Sequence, residues 1–204
     1  MPEPVVRGAA GHPGQALIMQ AHSDRRYSAP AQILHWLTAV VVLIAFIYGP
    51  GGSEERVYSA ARDFDRQLHE TLGLAVLVLV ALRILWRAVD SRPEPVPAQR
   101  WMELTAKVVQ GALYVLLFAV PLTAIAGAWL EGHALTLWGG ITIPPLVAKS
   151  HAIGAAIAAV HTWLGDAILW IAGLHAVAGI YHHVILKDGV LKAMLPRWGS
   201  TEPR

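Results

Sequence analysis

The chain has 204 residues, of which 55% are hydrophobic and only 15% charged; its mean hydropathy is +0.47. That composition excludes an ordinary soluble globular domain and points to a membrane protein. The net charge of +2 comes from clusters flanking apolar runs, which gives no indication of a nucleic-acid partner. Cysteine is absent, so disulfides, iron–sulfur clusters, thiolate ligation and covalent CxxCH attachment are excluded, and any redox cofactor must be held by other side chains.

Residues 1–27 are rich in Pro, Gly and Ala without periodicity, contain no signal-peptide core, and read as a flexible tail. The first expected span runs from about Ala31 to Tyr48 and stops at Pro50-Gly51-Gly52. A polar loop containing Arg56, Arg62 and Arg66 among several acids leads to a second span, about Leu68 to Trp86, with Arg83 and Arg87 at its far end. Asp90 to Arg100 reads as a proline-rich linker. A third span covers about Leu104 to Leu130, with a kink expected at Pro121.

Glu131 to Lys149 reads as a loop along the membrane surface. The last apolar stretch, Ser150 to Leu186, is too long for one crossing of a ~30 Å hydrocarbon layer. Either its first part protrudes or a break precedes the true fourth span near His161. The fold class is therefore all-α, an integral membrane four-helix bundle spanning 28–198, followed by a short tail over 199–204.

Basic residues concentrate in the amino tail, the second-to-third connection and the carboxyl tail, while the other two connections hold only Arg56, Arg62, Arg66 and Lys149. The positive-inside rule then puts both termini in the cytoplasm, which agrees with an even number of spans. With this topology His69 and His161 share the outer half of the membrane, and His35 and His175 the inner half. Fourteen residues separate His161 from His175, placing them within ~40° on one helix and ~21 Å apart along it.

Ionisable groups at this depth read as functional by default. Four imidazoles at complementary depths suit two pairs of axial haem ligands, and bis-imidazole ligation favours electron transfer over oxygen binding. The blander reading is a set of interhelical hydrogen bonders. These histidines lack the close sequence spacing of a zinc site. His151 competes with His161, although ten residues of helix turn it about 80° away. His12, His22 and His133 read as solvated.

At the other end, His182, His183 and Lys187 mark either a polar helix terminus or a quinone pocket, where an imidazole bonds a carbonyl and relays a proton. Arg56, Arg62 and Arg66 read as a solvated loop or as a guide for a small anion.

Four segments carry a family resemblance: YSAPAQILHW around His35, LHETLGLAVLVLVALRILWR around His69, LYVLLFAVPLTAIAG in the third span, and AGLHAVAGIYHHVILKDGVLKAMLPR around His175. Over about Tyr27 to Trp198 the chain resembles the bacterial cytochrome b561 family of four-helix di-haem membrane proteins, in particular its superoxide oxidase branch. The resemblance implies an inner-membrane protein with two haems b on His35, His69, His161 and His175. It implies oxidation of superoxide at the outer face, with electrons passed to ubiquinone at the inner face and no protein partner required. The alternative is a cytochrome b subunit linking a periplasmic dehydrogenase or hydrogenase to quinone. The apolar stretch before His161 and the presence of His151 depart from the family pattern.

Overall fold

The computed structural model describes residues 26–90, 93 and 98–196. Nearly all of the amino tail, most of the proline-rich linker and the carboxyl tail lie outside these residues, as do His12 and His22. Four helices are long and apolar enough to cross a membrane: α1 (Ala29–Ile47), α2 (Asp63–Val89), α3 (Arg100–Glu131) and α4 (His151–Tyr181).

Local chemistry sets the helix ends. Pro30 sits in the first turn of α1, where its fixed φ suits a helix and its missing N–H costs nothing. Beyond α1, Gly51 and Gly52 take positive φ values of 35° and 115°, which turn the chain towards a short helix, Glu54–Val57. A single 3₁₀ turn, Ala60–Arg62, opens directly into α2. Asp63 and Asp65 lie in the first turn of α2 and Arg87 in its last, the arrangement that the helix dipole favours. Gly132 closes α3 in the left-handed conformation at φ 85°.

One sequence expectation is narrowed to its first alternative, a protruding helix, and one is revised. α4 is unbroken: it runs from His151 and widens into a π turn over His182–Leu186, closed by Lys187 at φ 53°. No proline interrupts this stretch, so the backbone has no cause to break, and the surplus length extends to both ends of the bundle. The connection after α3 is more than a surface loop, because Leu135–Thr136 (β1) and Thr142–Ile143 (β2) pair antiparallel. Gly139 and Gly140, both at positive φ, make the turn. α3 continues through Pro121, which is buried.

The helices pack as two close pairs, α1 along α2 and α3 along α4, with fewer contacts between α2 and α3. Val76, Val80, Leu116, Leu117 and Ile168 form the small apolar core where α2, α3 and α4 meet. The backbones of α1 and α2 make few close approaches to α4. Much of the outward surface is exposed Leu, Val, Ile and Trp, as a lipid-facing surface requires.

Backbone meets backbone between α3 and α4. A Cβ on Gly127 would lie 3.3 Å from Ala158 N and 3.4 Å from Ala158 Cα, neither of which can move without the helix. Gly127→Val is therefore expected to destabilise by about 1–3 kcal/mol. Thermal unfolding in detergent checks this, and an unchanged midpoint would mean that the two helices are free to separate.

Candidate functional site

The bundle has a terminal end, where α1 begins and α4 finishes, and a loop end, where α1 connects to α2 and α3 to α4. At the loop end the rings of His69 on α2 and His161 on α4 face each other, with centroids 6.0 Å apart and planes at 82°. At the terminal end His35 on α1 and His175 on α4 face each other at 6.3 Å and 66°. All four side chains are half-buried. They reach across the gap where α4 stands off from α1 and α2.

Hydrogen bonds fix the first pair. Nδ1 of His69 donates to the Ala45 carbonyl at 2.7 Å, and Nδ1 of His161 donates to the Val120 carbonyl at 2.9 Å. A carbonyl only accepts, so both Nδ1 atoms carry the proton and both Nε2 atoms present a lone pair. Gly49 lies beside the His69 ring, where even a Cβ would make an ordinary contact with Cε1 at 3.5 Å. At the second pair, Nη2 of Arg83 lies 3.3 Å from His35 Nδ1. A guanidinium has no lone pair, so this nitrogen accepts and the His35 proton sits on Nε2. Arg83 and Arg87 both also lie over the Tyr114 ring, each 5.6 Å from its centroid.

His151 does not join His161. Its Nδ1 is 2.6 Å from Glu131 Oε2, on the exposed side of the helix end. His133 is also not simply solvated: its Nε2 lies 2.6 Å from Glu54 Oε1, and its ring stacks on Tyr58 at 3.6 Å. The hydrogen bond with His133 holds the Glu54 carboxyl below the usual carboxylate range. Burial, followed by the nearby Glu70 carboxylate, pushes the Tyr58 phenol up to about 12.

The three loop arginines divide. Arg66 is buried in the first turn of α2, contrary to the expectation of a solvated or steering side chain. It is paired with Asp63 at 2.7 Å and Glu70 at 3.2 Å, and its guanidinium lies over Tyr58 at 5.2 Å. Its charge is neutralised locally because the helix starts earlier than the sequence suggested and folds these acids onto it. Arg62 pairs with Asp65 at 2.9 Å. Arg56 is exposed and has no ion-pair partner among the described residues.

At the terminal end, His182 Nδ1 hydrogen-bonds Asp188 Oδ2. His183 is half-buried in the same π turn, while Lys187 is exposed. The short helix Val190–Met194 that follows folds back on α1, where Trp36 donates to the Met194 carbonyl at 2.8 Å and Gln32 to the Ala193 carbonyl at 3.1 Å. Sequence reading missed the contacts of Arg83, Glu70 and Glu131. Glu131 stood at a helix end like any polar residue, and the contacts of Arg83 with His35, Glu70 with Thr136 and Glu131 with His151 join residues distant in sequence.

The profile of the prokaryotic cytochrome b561 family matches residues 26–197. The chain belongs to that family. Cytochrome b561 homolog 2 of Escherichia coli (strain K12) is 28% identical over 180 residues, covering 88% of this chain and 96% of the relative. The probable superoxide oxidase CybB of Yersinia pestis is 29% identical over 177 residues, covering 85% and 97%. Cytochrome b562 of Cereibacter sphaeroides is 34% identical over 170 residues, covering 79% and 90%. Membership and the four spans make this a multi-pass protein of the bacterial inner membrane, a b-type cytochrome of electron transfer in a family that binds haem b.

Proposed function

We propose that this family member holds two haems b, one between His69 and His161 and one between His35 and His175, and carries electrons from superoxide at the loop end to ubiquinone at the terminal end. The observation that carries the reading is the pair of facing imidazoles in a gap that the backbones leave open. Two imidazoles on opposite sides of one metal ion, each bound at about 2 Å, have ring centres roughly 6 Å apart. Both pairs meet that spacing. The carbonyls of Ala45 and Val120 hold two of the rings in the metal-ready tautomer. If His35 held the haem through Nε2, its proton would have to sit on Nδ1, which would end the hydrogen bond from Arg83.

When bound, the haems would supply one-electron carriers; His161 and His175, which would hold one each, lie about 21 Å apart along α4 by its rise per residue. Each superoxide gives up one electron and leaves as dioxygen; two electrons and two protons convert a quinone to its quinol. The distribution of basic residues supports cytoplasmic termini, with the loop end outside. Arg56, exposed and unpaired among the described residues, attracts the anion; Arg62 and Arg66 are committed to ion pairs. His182 and His183 offer imidazoles to a quinone carbonyl, with Asp188 orienting His182 and Lys187 at the rim. We take 28–198 as the extent of the four-helix unit, of which residues 91–92, 94–97 and 197–198 lie outside the described residues.

The test follows the haem spectrum of the purified protein while superoxide is generated. Rapid reduction that superoxide dismutase abolishes, then reoxidation by a ubiquinone analogue, is expected. Arg56→Gln is expected to slow the reduction and flatten its salt dependence. Haems that stay oxidised with superoxide yet are reduced by quinol would replace this reading with that of an electron-transfer subunit serving a separate dehydrogenase or hydrogenase.

A further inference from the structure

A second constellation lies at the loop end, apart from the facing histidines. Three separate pieces of chain converge there: Glu54 from the α1–α2 connection, Glu131 from the last residue of α3, and His151 from the first residue of α4. One donor atom from each lies within 4.8 Å of the others. His133 joins them through Glu54 at 2.6 Å, with its ring held flat against Tyr58.

Glu131 is the unusual member. It is only 7% exposed, it accepts from His151 through Oε2 at 2.6 Å, and its Oε1 has no hydrogen-bond partner. An unmatched buried carboxylate oxygen is costly unless something satisfies it. The fold also makes room for it. A Cβ on Gly154 would fall 2.8 Å from that same Oε1 and 2.9 Å from Glu131 N, so only glycine lets the carboxylate sit against α4.

We propose that Glu54, Glu131 and His151 form a binding site for a divalent transition-metal ion of the Zn²⁺ class, with His133 held beside them on Glu54. Two carboxylates and one imidazole, with a water in the fourth position, are a nitrogen and oxygen donor set that such an ion accepts in a tetrahedral arrangement. Hard cations such as Ca²⁺ and Mg²⁺ prefer oxygen alone. Two carboxylates supply negative charge to the ion, and Lys149, which packs against Gly132, is a nearby competing cation. In the His151–Glu131 contact a proton lies between Nδ1 and Oε2; the ion takes its place, and that proton moves to the other ring nitrogen or to water. Bound there, the ion ties the α1–α2 connection to the ends of α3 and α4, and so fixes the helix ends above His69 and His161.

The experiment uses the haem-loaded, tag-free protein in detergent and adds Zn²⁺ alone, following binding by calorimetry and unfolding by circular dichroism. One Zn²⁺ per chain and a raised melting midpoint are expected in the native protein. The Glu54→Gln/His151→Gln double variant changes only exposed side chains and is expected to fold with an unchanged haem spectrum. It should bind at least about tenfold more weakly and lose the midpoint shift. Binding of equal strength in the double variant, or no stoichiometric binding in the native protein, overturns the proposal.

Discussion

Replacing His161 with alanine is expected to leave the purified protein with half its haem, and His151→Ala is expected to leave it with all of it. Each haem in the proposed arrangement depends on two imidazoles facing across a gap. Removing His161 takes away the imidazole that faces His69 at 6.0 Å between centroids. His151 points the other way, to Glu131. The measurement is haem per chain from the pyridine haemochrome, with His175→Ala as the matching variant at the terminal end. Equal haem in His161→Ala and the native protein would remove this histidine from the ligand set. Loss in His151→Ala would move the outer site to the helix end.

Arg66→Met is expected to destabilise the protein by about 3–5 kcal/mol, because it strands carboxylates around a buried position. The guanidinium is the common partner of Asp63 and Glu70. Glu70 would keep only its bond from the Thr136 N–H at 2.5 Å, which itself ties α2 to the β1 strand. Loss of Arg66 therefore loosens the hairpin as well as the helix start. Arg66→Lys keeps the charge but not the fork that reaches two acids at once, and should fall between. Thermal midpoints in detergent rank the three proteins. A melting point for Arg66→Met equal to that of the native chain would mean that desolvation had cancelled the whole network.

Much of the fold could be read from the chain. Four apolar runs, Pro50-Gly51-Gly52 after the first and Pro121 inside the third were visible in the sequence, and the structure has four long apolar helices with boundaries shifted by a few residues. The second span shows why boundaries moved. Asp63, Asp65 and Arg66 look like loop residues until the 3₁₀ turn before them is known to be continuous with α2. Charge then becomes a feature of the helix start instead of the solvent.

The spacing of His161 and His175 was legible for the same reason that helices are: a period of 3.6 places residues seven or fourteen apart on one face. Composition and periodicity thus determined, by themselves, that the chain is a membrane bundle with imidazoles at two depths, because burying apolar side chains in lipid and closing backbone hydrogen bonds within each helix are local demands. Side-chain partners across helices are not local. Only the tertiary structure decided that Ala45 and Val120 orient His69 and His161, that Arg83 touches His35, and that Glu54, Glu131 and His151 converge from three segments. Their sequence separations carry no period, and what joins them is the way two helix pairs settle against each other.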